Sequence, residues 1–173
     1  MTMRGALRHL LAALAVALCT AICGCSATAG DEPADPDTVR VVRIVDGDTI
    51  RVASPSGDEP VRYIGIDTPE SVKPGSPVEC FAKRASAYNE RLVGGERVRL
   101  VYDVERRDRY GRLLAYVYRV RDGLFVNAEL VRRGFATVAT FPPNVRHERE
   151  FRRLARKARM SGLGLWSKCE GAG

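Results

Sequence analysis

The order of its strand-like segments is the feature that most constrains the fold of this 173-residue chain. Residues 81–93 lack Gly and Pro, repeat apolar side chains at helical spacing and end at Gly94, which predicts a helix. Five strands with this helix between the third and fourth favour an α+β, mainly β, fold: a five-stranded barrel of the OB type. The strands are expected where apolar side chains are branched or alternate with polar ones, at residues 39–45, 49–53, 61–66, 97–104 and 113–120.

Two further helices are predicted towards the C-terminus. Residues 125–133 have the pattern of a short helix, and residues 145–160, after a Pro-Pro pair, that of a longer and very basic one. We therefore expect a barrel with three helices. The longer helix has an apolar stripe, typical of a face that packs on a core, formed by Phe151, Leu154, Ala155 and Ala158.

The first residues of the chain are typical of an export signal. Two arginines precede an uncharged stretch at residues 10–22, the pattern of a secretory signal peptide, and the stretch is too short to favour a membrane-spanning helix. Residues 30–38 are acidic and hold almost no apolar side chain, so we expect a solvated, disordered tether there. The folded domain is then expected at residues 39–169, followed by a short tail at residues 170–173.

Two processing sites compete within this signal. A small-x-small motif would direct the removal of residues 1–29, whereas Ile22-Cys23-Gly24-Cys25 resembles the lipobox of bacterial lipoproteins. We favour lipidation of Cys25 after a signal at residues 1–24, which would hold the domain at a membrane surface through acyl chains. Either route exports the protein, as a membrane-anchored lipoprotein or in secreted form.

The chain is basic, with a formal net charge of +7 at pH 7. Because the tether is acidic, the predicted domain carries an even larger positive charge. Such a charge favours polyanionic partners through counterion release and long-range attraction. A surface that only keeps the protein soluble is the alternative.

Two of the five cysteines, Cys80 and Cys169, lie in the predicted domain. A pair of cysteines in an exported protein suggests one disulfide. This bond would tie the C-terminal tail to the segment after Glu70. Two separate thiols are the alternative.

Acidic side chains near the ends of the predicted strands form a candidate metal site. Asp48 follows a glycine turn and Asp67 ends a strand, so both carboxylates can lie at one rim of a sheet and bind a hard cation such as Ca²⁺, which takes oxygen ligands. Glu70 could orient a water molecule. A zinc centre is disfavoured because the domain has a single histidine, His147. Simple turn formation by the aspartates and a solvent-facing role for Glu70 are the alternatives.

Two arginines are candidates for binding a phosphate. Arg62 lies within a mainly apolar strand, where an unpaired guanidinium would be costly to bury, so it needs a carboxylate or phosphate partner. Strict alternation places Arg62 and Asp67 on opposite faces, so a bend or bulge, for example at Gly65, is needed if both serve one site. Arg112 could supply a second guanidinium, or it could form a salt bridge with a nearby aspartate such as Asp108.

Together these clusters resemble the staphylococcal nuclease (thermonuclease) family, in order and over about residues 39–167. The resemblance implies an OB barrel with three helices. It also implies a hydrolase, a calcium-dependent phosphodiesterase that cleaves DNA and RNA, preferably single-stranded, and leaves 3′-phosphate ends. The strings that carry the resemblance include Val45-Asp46-Gly47-Asp48-Thr49, Ile66-Asp67-Thr68-Pro69-Glu70 and Asp108-Arg109-Tyr110-Gly111-Arg112.

The same resemblance implies a role for each matching residue. Asp48, Asp67 and the backbone carbonyl of Thr68 would be calcium ligands. Glu70 would be the general base, and Arg62 and Arg112 would hold the scissile phosphate. Arg109 and Tyr110 would line the nucleotide pocket, in a protein that we expect to be monomeric.

The chain departs from the best-known family member in two places. Thr140 and Phe141 stand where that member has two tyrosines, so the nucleotide contacts of those tyrosines are not carried over. Cys80 and Cys169 are absent from it. A noncatalytic OB-fold protein that binds nucleic acid at the cell envelope, or an adhesive envelope protein with a basic face, would be the alternatives to a nuclease.

Overall fold

A closed barrel of five strands forms the centre of the structure, a computed structural model that describes residues 37–70 and 78–169. The barrel order is β1-β2-β3-β6-β5, and β4 and β7 pair in a small separate sheet. In chain order the strands are β1 (Thr38–Asp46), β2 (Thr49–Ser54), β3 (Gly57–Tyr63), β4 (Ile66–Asp67), β5 (Arg97–Val101), β6 (Leu113–Arg119) and β7 (Thr137–Val138). The helices are α1 (Ala82–Val93), α2 (Val126–Arg132), α3 (Glu148–Met160) and α4 (Leu165–Lys168).

The barrel is closed by one parallel pairing among antiparallel ones. β1, β2 and β3 form an antiparallel meander, β5 and β6 form a hairpin, and β1 pairs antiparallel with β5. Only β3 and β6 run parallel among the described strands of the barrel, with Val61 opposite Leu113 and Tyr63 opposite Ala115. This mixed five-stranded barrel confirms the predicted OB-type fold.

The apolar side chains of the strands fill the barrel interior. Ile50, Val61 and Val98 have no exposed surface, and Tyr63 is 1% exposed. Tyr63 keeps its hydroxyl satisfied by donating to the side-chain oxygen of Asn89 in α1, at 3.0 Å. The barrel core is thus formed by the apolar side chains of its strands.

Several boundaries differ from the sequence prediction. β3 begins at Gly57 instead of residue 61, because its polar first residues pair with β2 and contribute no apolar pattern. β5 ends at Val101, earlier than predicted. α3 begins three residues later than predicted, and the side chain of Asn144, which precedes it, hydrogen-bonds the backbone of Glu105. The short helix α4 was not predicted.

The predicted export signal, most of the acidic tether and the tail at residues 170–173 lie outside the described residues. Among the residues that the structure does describe, no helix is long and apolar enough to span a bilayer.

A disulfide joins Cys80, just before α1, to Cys169, just after α4, across a sequence separation of 89 residues. The backbone carbonyl of Lys168 also lies 3.5 Å from the Cys80 sulfur. The bond thus ties the start of α1 to the last described residue of the domain.

The buried Glu129 of α2 is predicted to make fold stability depend on pH. Burial alone would raise its pKa, but hydrogen bonds from Arg133, Arg132 and Tyr88 outweigh burial and lower the pKa. The stabilisation is therefore present above the unfolded-state pKa of about 4.5 and is lost as pH falls through the folded-state value. Glu129→Gln should cost about 1–3 kcal/mol of unfolding free energy at pH 7 and much less at acid pH.

Urea unfolding of both proteins at neutral and acid pH measures this difference. Glu148→Gln, which removes an exposed pair with Arg152, is the control and should change stability little. An equal loss for Glu129→Gln at both pH values would contradict the prediction.

Candidate active site

A two-residue turn between β1 and β2 sets the position of Asp48. The turn consists of Gly47 and Asp48, and the backbone carbonyl of Asp48 accepts a hydrogen bond from Tyr63 of β3 at 2.9 Å. A side chain at position 47 would come within 2.8 Å of both Thr68 and Ala85. The glycine is thus required because α1 and the segment after β4 pack directly on this turn.

The Asp48 carboxylate is buried and accepts several hydrogen bonds. Its Oδ2 accepts from the backbone N–H of Thr68 at 2.7 Å and from the Thr68 hydroxyl at 3.0 Å. Its Oδ1 accepts from the Thr49 hydroxyl at 3.1 Å. These contacts join the β1–β2 turn to the segment after β4 and bring Asp48 and Thr68 together.

Arg62 lies between the two candidate carboxylates. One guanidinium nitrogen donates to the Asp67 carboxylate at 2.7 Å and lies 3.3 Å from the Asp48 carboxylate. Its other terminal nitrogen donates to the backbone carbonyls of Tyr63 and Ile66 at 2.9 and 2.8 Å. The guanidinium, 15% exposed as a side chain, therefore has the partners that its burial requires.

A bend at Gly65 allows Arg62 and Asp67 to meet. β3 ends at Tyr63, Gly65 has a φ of 79°, and β4 begins at Ile66. The left-handed backbone favours glycine, and a Cβ at this position would lie 2.7 Å from the Phe151 ring. The structure thus shows, at the predicted residue, the bend that strict alternation required.

The carboxylates near Arg62 perturb one another. Partial desolvation raises the pKa of Asp67, although 60% of its side chain is exposed. The charges of Asp48, Glu79 and Glu70 add to this effect against the opposing charge of Arg62. Burial, a side-chain hydrogen bond with Glu70 and the nearby carboxylates raise the pKa of Asp46 to about 6, although the Gly47 N–H favours its ionised form. These carboxylates therefore lie close enough together to raise one another's pKa.

This donor set fits a hard cation. The side chains available are carboxylates and the Thr68 hydroxyl, which suit calcium or magnesium and not a soft metal. In the described part of the chain no three acidic, histidine or cysteine side chains form a metal centre by themselves. An ion here would therefore complete its shell with backbone, water or substrate oxygens.

The backbone of Glu70 is held by Glu79. The Glu79 N–H donates to the Glu70 carbonyl at 3.0 Å, and the Glu79 carboxylate accepts from the Glu70 N–H at 2.9 Å. Glu79 directly precedes the disulfide-bonded Cys80. Sequence reasoning assigned no role to Glu79, and it did not single out Asp46, whose carboxyl shares a hydrogen bond with that of Glu70.

A second group of predicted residues lies in the loop between β5 and β6. The Asp108 carboxylate accepts from the Arg112 side chain at 2.7 Å, as the alternative reading of Arg112 proposed. Tyr110 is 68% exposed, and both Arg109 and Arg112 place their guanidinium groups within 5.5 Å of its ring centre. The loop thus offers two cations and an exposed aromatic ring side by side.

The parallel pairing of β3 with β6 connects the Arg62 site to the end of the β5–β6 loop. Arg62 is opposite Leu114 in the parallel ladder, and Arg112 lies two residues before Leu114. The fold therefore carries Arg62 on β3 and Arg112 in the loop directly before β6, the strand that pairs with β3. Barrel and site together define an OB-fold protein that carries a cluster of carboxylates and arginines.

Comparisons with known proteins identify the family within this class. The model of the staphylococcal nuclease homologue family matches residues 60–168. The chain is 36% identical over 140 residues to the thermonuclease of Staphylococcus hyicus, covering 81% of this chain and 82% of that protein. It is 41% identical over 128 residues to the thermonuclease of Staphylococcus intermedius, covering 74% and 75%.

A third relative, the endonuclease YncB of Bacillus subtilis, is 42% identical over 132 residues, which cover 75% of this chain and 62% of that protein. The chain belongs to the staphylococcal nuclease family, as its sequence strings indicated. Its similarity to thermonucleases and an endonuclease supports a nuclease that acts on nucleic acid.

Removing the disulfide should destabilise the fold and should also loosen the backbone of Glu70. Cys80→Ser with Cys169→Ser frees a long loop in the unfolded chain and should lower the unfolding free energy by about 3–5 kcal/mol. The Glu70 amide, bonded to Glu79 beside Cys80, should exchange its hydrogen faster in the variant. Urea unfolding and hydrogen exchange measure the two effects.

Glu79→Ala, which keeps the disulfide but removes the side-chain acceptor of the Glu70 N–H, is the matched variant. It should speed exchange at Glu70 with little loss of global stability. Unchanged exchange at Glu70 in both variants would contradict this account.

Proposed function

We propose that this protein is a calcium-dependent nuclease that hydrolyses phosphodiester bonds of DNA and RNA, preferably single-stranded, and leaves 3′-phosphate ends. The observation that carries the proposal is the contact of Arg62 with both Asp48 and Asp67, in a chain similar to thermonucleases. The protein would act as a monomer.

Asp48, Asp67 and the backbone carbonyl of Thr68 would hold the calcium ion. When bound, calcium neutralises phosphate charge and polarises the phosphorus centre and a water molecule. Asp48 is well suited to a fixed ligand because Thr68 and Thr49 already orient both of its oxygens. Asp67 is more exposed, at 60% of its side chain, and so presents its oxygens towards solvent and substrate.

The two arginines would bind the scissile phosphate. Arg62 can exchange its exposed contact with Asp67 for a phosphate oxygen while its bonds to two backbone carbonyls keep it in place. Arg112 can likewise exchange Asp108 for phosphate. Two guanidinium groups would then stabilise the charge that develops on the phosphate oxygens during attack.

Glu70 would accept a proton from the attacking water. The water oxygen bonds to phosphorus and the bond from phosphorus to the 5′ oxygen breaks. The departing oxygen takes a proton from solvent and Glu70 releases its proton to solvent, so the products are a 3′-phosphate and a 5′-hydroxyl. A carboxylate acting in this way contributes about 10²–10⁴-fold to the rate. The bonds from Glu79 to the Glu70 backbone restrict where this carboxylate can lie.

Calcium dependence and the role of Glu70 can be tested in one assay. The purified protein should degrade single-stranded DNA and RNA with added calcium, stop with chelator and resume when calcium is restored. The products should accept 3′ extension only after phosphatase treatment. Glu70→Gln should lower kcat by about 10²–10⁴-fold, whereas Glu96→Gln, which breaks an ion pair with Arg121 elsewhere, should retain activity.

Cleavage that survives chelation, or full activity in Glu70→Gln, would overturn the mechanism. Binding of nucleic acid with no cleavage under any metal would favour the noncatalytic alternative.

We also propose that the protein is exported and anchored by lipid at Cys25. This rests on the sequence pattern of residues 1–29. Mass spectrometry of the membrane fraction should find an N-terminal peptide that begins at acylated Cys25. A free N-terminus at Gly30 would show ordinary cleavage instead.

A further inference from the structure

The face of α3 turned away from the core is an arginine stripe. Phe151, Leu154 and Ala158 are buried on the inner face. Arg149, Arg153 and Arg156 follow one another at intervals of four and three residues, which places them on one face of a helix, and all three are exposed. At about 1.5 Å per residue the stripe extends roughly 10 Å along the helix axis.

The stripe borders an open groove of about 620 Å³. Five arginines line the groove: Arg146, Arg149, Arg152, Arg153 and Arg156. A groove with this lining is strongly electropositive, which raises the local concentration of anions.

Each acidic residue near the groove pairs with a side chain outside the arginine stripe. Glu148 pairs with Arg152, Glu150 with His147, and Asp103 with Arg146. Arg149, Arg153 and Arg156 form no ion pair with any residue that the structure describes. Like charges three or four residues apart repel one another along a helix, and a bound anion would offset this repulsion.

We infer that this groove binds the sugar-phosphate backbone of a nucleic-acid strand outside the catalytic site. Guanidinium groups match phosphate geometry with paired donors, and the length of the stripe suits successive phosphates of one strand. This inference rests on the proposed nuclease function, since it assigns a second contact to the same substrate.

The groove is connected to the loop that carries Tyr110 and Arg112. Arg146, at one end of the groove, donates its backbone N–H to Asp103 at 3.1 Å, and Asn144 bonds the backbone of Glu105. Both partners lie in the β5–β6 connection, a few residues before Tyr110. One end of the groove is thus fixed to the same β5–β6 connection that carries Tyr110 and Arg112.

A membrane surface fits this face less well. An amphipathic helix that binds lipid inserts its apolar side, whereas the apolar side of α3 is buried against the rest of the domain. On the exposed side only the terminal Met160 is a large apolar residue among those of α3.

A charge-matched pair of triple variants tests the inference. The first, Arg149→Gln with Arg153→Gln and Arg156→Gln, removes the stripe. The control, Arg40→Gln with Arg43→Gln and Arg97→Gln, removes three exposed arginines from β1 and β5. Circular dichroism and thermal unfolding establish that both remain folded.

Binding of a single-stranded oligonucleotide is measured in chelator, so that no cleavage occurs. The stripe variant should bind on the order of tenfold more weakly at low salt, and the slope of log K against log salt should fall by about 2, since each phosphate contact on a single strand contributes about 0.7. With calcium, KM for long single-stranded DNA should rise by a similar factor, while kcat and the cleavage of a dinucleotide stay unchanged.

Equal weakening in the two triple variants would show a general charge effect and overturn the inference, as would unchanged binding in the stripe variant. Lost binding to phosphatidylglycerol vesicles with intact binding to the oligonucleotide would assign the face to a membrane instead. If no form of the protein cleaves nucleic acid, the proposed function fails, and the binding measured in chelator still decides the role of the groove.

Discussion

The rest of the site depends on the contacts that the Arg62 guanidinium makes. It joins β3, the Gly65 bend, β4 and the β1–β2 turn through two carbonyls and two carboxylates. A cation that is largely removed from water must find such partners or destabilise the fold. The same bonds that make its burial tolerable also bring Asp48 and Asp67 to one place. The packing of this region and the position of its two aspartates therefore depend on the same side chain.

Much of this arrangement could be predicted from the sequence. Branched and alternating residues indicated every strand of the barrel because one face of each strand enters the core. The Gly65 bend followed from an inconsistency: alternation separates Arg62 from Asp67, and a shared site requires them to meet. The family followed from short strings in a fixed order, and the family model and relatives confirm it.

What could not be predicted arises from long-range contacts. Glu79 meets Glu70, and Asp46 shares a hydrogen bond with that residue's carboxyl, but no local pattern marks either contact. The partner of Arg112 could not be predicted because the sequence allows two contacts. One is a salt bridge with Asp108, four residues earlier, and the other is a bond to a substrate phosphate. The polar first residues of β3 were not predicted as strand. They are held by backbone pairing with β2 and bury no apolar side chain that the sequence pattern could reveal. Each of these features depends on register or on a distant segment.

The parallel pairing of β3 with β6 has a consequence for how the protein acquires activity. Parallel neighbours need a long crossover, and here the crossover contains β4, α1 and β5. Pairings so distant in sequence form late and slowly, because the entropy of closing the loop must be lost before the contacts form. A partly folded chain holds Arg62 and Arg112 on unconnected segments. Under the proposed mechanism, which uses both arginines, cleavage therefore requires the completed barrel.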